Sequence, residues 1–123
     1  MNEVSLKLET RWKASVEFSM SIVDLATMAP VDLSTASIWF TAKRSADDLD
    51  SAAVVQVTRA GGGIVVGGTG NNKLTVRADN VASALDNDTV TLRCDVKIKL
   101  TDQFAQVVGV GTLKVLEAVT QSG

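Results

Sequence analysis

The feature that most constrains the fold is the stretch 89–100, in which polar and apolar side chains alternate without interruption. Every even position from Val90 to Leu100 is apolar, and every odd position from Thr89 to Lys99 is polar. In an extended strand this two-residue period puts all the apolar side chains on one face. The stretch therefore predicts a long antiparallel strand with one buried side and one solvent-facing side.

Shorter segments with strand character occur along the rest of the chain. Residues 101–103 indicate a turn, and Phe104–Val110 a returning strand, in which Gly109 and Gly111 indicate a bulge or a close backbone approach. Glycine- and asparagine-rich turns separate short strands, which is typical of a β-sandwich or a β-barrel. Further strands are expected at residues 4–8, 12–22, 36–43, 54–59, 64–66, 74–77 and 112–119, the first two forming two strands or one bent strand.

One segment departs from the β pattern. Asp79 is a candidate helix N-cap, and Val81 and Leu85 stand four residues apart, so one short helix is expected near residues 79–85. The length of 123 residues fits a single domain, 1–123, with one core. The expected fold class is all-β.

The chain contains no histidine, which excludes most familiar hydrolytic and metal chemistry. The glycine stretches 61–63 and 67–70 connect strands rather than a strand to a helix, and no Gly-Lys-Ser or Gly-Lys-Thr follows them. They are therefore predicted to be hairpin turns rather than phosphate-binding loops. We expect a protein that is not an enzyme and has no cofactor.

Charge and cysteine content restrict partners and compartment. The net charge of −2 predicts no positive field for nucleic acid or for an anionic membrane. No apolar run is long enough to span a bilayer, and the N-terminus lacks the pattern of a signal peptide. The single Cys94 lies on the apolar side of its strand, so its thiol is expected to be buried. A lone cysteine forms no internal disulfide, which is compatible with folding in a reducing compartment.

Two acidic segments supply hard oxygen ligands in loops, as a calcium site requires. The residues are Asp47, Asp48 and Asp50 in one loop, and Asp86 and Asp88 in another. Neither segment has the twelve-residue calcium loop with its terminal glutamate, so solvated turns are the favoured interpretation and calcium the weaker one.

Trp39 and Phe40 are adjacent in a predicted strand and therefore point to opposite faces. Phe40 shares its phase with Ile38 and is predicted to lie in the core. Trp39 shares its phase with polar neighbours, so it is either covered within the domain or an anchor for a partner subunit.

The order of these segments resembles the immunoglobulin-like domain of tailed-phage tail and baseplate proteins, including the N-terminal domain of upper-baseplate proteins. The resemblance covers roughly residues 20–119. It depends on Val31–Ala36 leading into Ile38–Arg44, an acidic loop, a glycine turn, the stretch 78–85, the long alternating strand and the closing Gly-Thr-Leu-Lys-Val of residues 111–115. It implies an immunoglobulin-like antiparallel β-sandwich.

The resemblance also implies a structural virion protein, made in the bacterial cytoplasm, that forms homo-oligomers and contacts other virion proteins on the tail or baseplate. A compact β domain must either protect its edge strands or use them in assembly. We expect Val4–Leu8, within an N-terminal assembly segment 1–22, or alternatively Thr112–Val119, to add to the sheet of a neighbour. The interface candidates are Val4, Leu6, Leu8, Trp12 and Trp39.

Two alternative functions remain compatible with these residues. A capsid decoration protein would share the fold and the lack of catalytic residues but bind the head. A receptor- or glycan-binding module needs an exposed aromatic platform. Because the chain has only five aromatic residues, this module is the weaker alternative.

Overall fold

The computed structural model describes residues 3–44, 54–79, 89–101 and 103–117, which form two packed β-sheets and no helix. The all-β prediction is confirmed. The short helix expected near residues 79–85 lies, apart from Asp79, outside the described residues. The strands are β1 (Val4–Arg11), β2 (Val16–Ser21), β3 (Ser37–Lys43), β4 (Val55–Thr58), β5 (Ile64–Gly67), β6 (Lys73–Ala78), β7 (Val90–Lys99) and β8 (Gln106–Leu116).

The five-stranded sheet has the order β1-β8-β7-β3-β4, and the three-stranded sheet has the order β2-β6-β5. The orders β8-β7-β3-β4 and β2-β6-β5 correspond to those of an immunoglobulin-type sandwich. The expected antiparallel pairing is found at every pair of the described strands except one, since β1 runs parallel to β8. The first strand therefore joins the sheet of the last strand instead of pairing with β2.

The alternation in β7 has the predicted effect, since Leu92, Val96 and Ile98 have no solvent exposure. The two sheets meet through aromatic side chains as well. Phe18 of β2 and the fully buried Phe40 of β3 pack edge to face, with ring centroids 5.2 Å apart. The inward faces of both sheets thus form one continuous apolar core.

Two irregularities shape β8, which is one continuous strand rather than the two segments expected on either side of Gly111. Val96 is opposite Gly109 but Lys97 is opposite Val107, so Val108 is the extra residue of a β-bulge. At Gly111 an added Cβ would overlap the main-chain carbonyl of Leu6. Both features suggested by the glycines, a bulge and a close backbone approach, are present.

The segment 22–36 between β2 and β3 is held against the rest of the fold by buried side chains and main-chain hydrogen bonds. Ile22 and Leu33 are fully buried at its two ends. The Ile22 N–H donates to the Asn72 carbonyl at 2.8 Å, and the Leu33 N–H donates to the Asn71 carbonyl at 2.9 Å. The β5–β6 turn therefore supports this segment through main-chain hydrogen bonds.

Arg59 fixes the entry into β3. Its guanidinium donates to the carbonyl oxygens of Leu33, Ser34 and Ala36, the last two at 2.8 and 3.0 Å. A hydrogen bond from a charged donor contributes roughly 1.5–3 kcal/mol. This cluster sets the start of the strand that carries Trp39.

Candidate interaction surface

The N-terminal candidates lie on β1 and point inward. Leu6 is buried, and Val4 and Leu8 are half-buried against the core. β1 pairs with β8 along its whole length, from Val4 opposite Gly109 to Arg11 opposite Leu116. The three apolar side chains therefore complete the domain's own core, and what β1 presents to a neighbour is its outer main-chain edge.

The alternative assembly strand, Thr112–Val119, is not available over its described part. β8 lies between β1 and β7, and Thr112–Val115 pair with both neighbours. A further strand could join there only by displacing one of them. The expectation that residues 112–119 extend a neighbouring sheet is therefore wrong for 112–115, while 118–119 lie outside the described residues.

Trp12 follows β1 in the turn toward β2. Its main-chain N–H donates to the Leu116 carbonyl at 2.8 Å, and its half-buried side chain packs against the core. The Lys13 ammonium lies 4.6 Å from the centroid of the indole ring, within cation–π range. Much of this indole is thus already in contact with its own domain.

Trp39, unlike Trp12, lies on an outer face of the sandwich. It lies half-buried on the outer face of the five-stranded sheet, between Thr58 of β4 and Lys97 of β7, while Phe40 is fully buried behind it. The prediction that these neighbours face opposite ways is confirmed. Shallow depressions of about 340 and 220 Å³ flank the indole and could receive side chains of a partner.

Two valines of β8 add exposed apolar side chains to this face, on the other side of Lys97 and Asp95 of β7 from Trp39. Val107 is 37% exposed and lies in the same cross-strand row as Lys97 and Trp39. Val110 is 46% exposed and lies in the next row, beside Asp95. We call Trp39, Val107 and Val110 the outer-face cluster.

Loops add further exposed apolar side chains. Phe104, between β7 and β8, is 93% exposed and precedes Val107 by three residues. In the β2–β3 segment Leu25 and Met28 are 61% and 67% exposed. The Asp24 carboxylate accepts the Ala26 N–H at 2.8 Å and so orders this second tip.

Cys94, on the inner side of β7, does not present a reactive thiol. Burial raises the pKa of the Cys94 thiol to about 11, and the neighbouring Asp95 charge acts in the same direction. The thiol therefore stays protonated at neutral pH, and its side chain faces the core. The buried thiol expected from the sequence is confirmed.

The calcium candidates Asp47, Asp48, Asp50, Asp86 and Asp88 all lie outside the described residues. Among the residues that the structure does describe, no three or more His, Cys, Asp or Glu side chains cluster as metal ligands would. The same part of the chain contains no helix able to cross a membrane.

Sequence reasoning identified Trp39 but missed Val107 and Val110.

Comparison of the sequence with models of known protein families and with curated proteins finds no match.

Proposed function

We propose that this chain is a non-enzymatic structural subunit of a tailed-phage virion that forms homo-oligomers and contacts other proteins of the tail or baseplate. The observation that carries the proposal is the outer-face cluster. A half-buried tryptophan on β3 and two exposed valines on β8, separated by Lys97 and Asp95 of β7, give this face apolar anchors among charged side chains, a combination that protein interfaces use.

The strand order supports the same proposal. The sequence resemblance to tail and baseplate domains implies an immunoglobulin-like sandwich, and the arrangement of β2–β8 agrees with that implication. Fold alone does not determine function, so the resemblance contributes the virion context and the outer-face cluster contributes the interaction surface. The free, buried Cys94 is compatible with synthesis in a reducing bacterial cytoplasm.

Particle labelling tests this proposal directly. Antibodies against the purified chain are applied to phage particles that carry its gene, and the label is located by electron microscopy. Label on the tail or baseplate is the expected result. Label confined to the head would replace the proposal with a capsid decoration protein, and absence of the chain from particles would overturn the virion role.

A receptor- or glycan-binding module is the second candidate, favoured by the almost complete exposure of Phe104. Such a module would bind glycans or host cells as the isolated domain, and Phe104→Ala would abolish binding. An isolated domain that binds neither, while particles carry label on the tail, excludes this candidate.

A further inference from the structure

β1 is the longest strand at an edge of either sheet. It has eight residues, against six in β2, four in β4 and four in β5, which are the other edge strands. β8 pairs with one side of β1, and no described strand lies on its other side. An unpaired edge of this length can pair with a further strand through its main-chain groups.

One hydrogen bond shows which main-chain groups of β1 point away from β8. The Trp12 N–H donates to the Leu116 carbonyl at 2.8 Å. In a parallel pair, the main-chain groups of alternate residues point to the neighbouring strand. The even-numbered residues of β1 share the direction of Trp12. The N–H and C=O groups of Ser5, Lys7 and Glu9 therefore point to the open edge.

The exposed side chains along this edge carry charges of both signs. Ser5, Lys7, Glu9 and Arg11 are exposed on the outer face, whereas Leu6 is buried. Charges of one sign would repel a second copy at every position. Lys7 and Glu9 are instead two residues apart and opposite in charge. Such a strand complements an antiparallel copy of itself, because the copy presents the two charges in reverse order.

We propose that β1 pairs with β1 of a second copy of the chain, antiparallel and with Leu8 opposite Leu8, so that two five-stranded sheets join across a two-fold axis. Lys7 of each copy then lies opposite Glu9 of the other. Since both residues point their main-chain groups to the edge, each pair exchanges both of its N–H···O=C hydrogen bonds. The inference rests on the proposed function, in which copies of the chain associate, and names the strand that joins them.

Charge selects this register over its neighbours. A shift by two residues in one direction opposes Lys7 with Lys7, and in the other direction it opposes Glu9 with Glu9. Like charges directly opposite each other are destabilising, whereas opposite charges are stabilising. A shift by one residue brings outward main-chain groups against groups that point away. Within its own domain Glu9 lies opposite Lys114, so in the joined sheet its carboxylate has a cation on each side.

The inner side of the same edge gains apolar contact in this register. Leu8 is half-buried against the core of its own domain and lies at the two-fold axis. Its pair is of the type without main-chain hydrogen bonds, in which opposite Cα atoms are only about 4.5 Å apart. The two leucine side chains therefore cover each other, which removes further apolar area from water.

The joined sheet has a consequence for the outer-face cluster. Opposite residues of an antiparallel pair share a face, so the two-fold axis is perpendicular to the sheet and both outer-face clusters lie on the same side. The contact uses the β1 edge of both copies and therefore closes at a dimer. Such a dimer offers other virion proteins two copies of one docking surface, which strengthens binding through multivalency.

Sedimentation velocity of the full chain at rising protein concentration tests the proposal, and the wild type is expected to form dimers. Lys7→Glu places a carboxylate opposite Glu9 at both ends of the contact and should weaken dimerisation about tenfold or more. Glu9→Lys should have an effect of the same size. Lys73→Glu makes the same change of charge at an exposed residue of β6, in the other sheet, and should change dimerisation less than about twofold.

Two combinations identify the partner strand and the register. The double variant with Lys7→Glu and Glu9→Lys has opposite charges at both places again and should recover most of the dimerisation. An equimolar mixture of the two single variants should form mixed dimers, because each variant supplies the charge that the other lacks.

Other results overturn the proposal. A chain that remains monomeric at millimolar concentration has no such contact. Dimerisation that the single substitutions leave unchanged, or that Lys73→Glu weakens equally, is not controlled by this edge. A double variant no better than the single variants refutes the register.

Particle labelling is independent of these results. A monomeric chain found on the tail would refute the edge contact and leave the virion role intact. A dimeric chain absent from particles would refute the virion role and leave the edge contact intact.

Discussion

The outer faces of the two sheets follow the same alternation but present different surfaces. On the three-stranded sheet, Glu17 and Arg77 are cross-strand partners, and the Arg77 guanidinium nitrogen lies 3.4 Å from the Glu17 carboxylate oxygen. The hydroxyl oxygens of Ser19 and Thr75 are 2.9 Å apart. Arg77 also contacts Asp79 at 3.1 Å. The three-stranded face also leaves Val65 of β5 63% exposed, opposite Thr75. On the five-stranded sheet, the corresponding surface carries the three residues of the outer-face cluster and more cations than acids among the described residues.

The difference lies in the charge balance and in the number of exposed apolar side chains, and it is the reason for which the five-stranded face is proposed as the docking face. Polar groups that already satisfy each other gain little from a partner. Apolar side chains left in water, and charges in excess of one sign, gain from burial and from an opposite charge. The predictions below test this contrast, beginning with the two sides of one strand.

The largest loss of folding stability is expected for a substitution on the inner side of β3. Phe40→Ala removes a fully buried ring that joins the two sheets, so it should lower the free energy of unfolding by about 3–5 kcal/mol. Trp39→Ala, one residue earlier on the outer side, should lower it less, by about 2 kcal/mol, because part of the indole is already exposed to water. Urea unfolding measures both values.

The same pair separates stability from assembly. Trp39→Ala should reduce the amount of the chain in purified phage particles, while its unfolding remains cooperative. If Trp39→Ala were as destabilising as Phe40→Ala, the indole would belong to the core and not to an interaction surface.

The next effect concerns the attachment of β1. Gly111→Ala puts a Cβ where the Leu6 carbonyl already lies, and the main chain of β1 must move away, at a cost of about 1–3 kcal/mol or more. Gly67→Ala in β5 is the matched control, because nothing lies within 4 Å of its added Cβ. Unchanged thermal stability of Gly111→Ala would mean that β1 does not hold this position in solution.

A smaller effect is expected on the three-stranded face. Arg77→Gln removes ion pairs between largely exposed side chains, so it should cost at most about 1 kcal/mol, with less effect at high salt. Lys97→Gln should leave the unfolding free energy nearly unchanged but reduce incorporation of the chain into particles. A reversal of this pattern, with Arg77→Gln affecting incorporation, would remove the contrast between the two faces.

The strands with unbroken alternation could be predicted from sequence. The segment 89–100 became β7, Val90–Lys99, with the predicted side inward. The parallel pairing of β1 with β8 could not be predicted, because alternation shows which side chains of a strand are buried but not which strand is its neighbour in the sheet. The burial of Leu33 also gave no periodic signal, since it depends on the distant Asn71 and Arg59.

The outer-face cluster was missed for a specific physical reason. The bulge at Val108 shifts the phase of β8, so that Val107 and Val110 face outward while Val108 and Gly109 are buried. A strict two-residue period cannot place all of these residues correctly. The cations of β7 were within reach of prediction, because the alternation that buries Cys94 necessarily turns Arg93 and Lys97 outward.

The smallest effect is a pH dependence on the three-stranded side. The Ser15 hydroxyl donates to the Asp79 carboxylate at 2.7 Å, and this bond, with Arg77 beside it, lowers the Asp79 pKa below its ordinary value of 3.8. A lowered folded-state pKa stabilises the fold above the unfolded value and loses that effect as pH falls through the folded value. Asp79→Asn should therefore be less stable than wild type at neutral pH, with the gap closing below pH 3.8.

Urea unfolding of both proteins between pH 7 and pH 2 measures that gap. Ser15→Ala removes the largest cause of the shift, so it should reproduce part of the neutral-pH loss. A gap that stays constant to pH 2 would show that the Asp79 charge has no part in it. The three-stranded face would then be held by the Arg77–Glu17 ion pair and its neutral hydrogen bonds, without a contribution from the Asp79 charge.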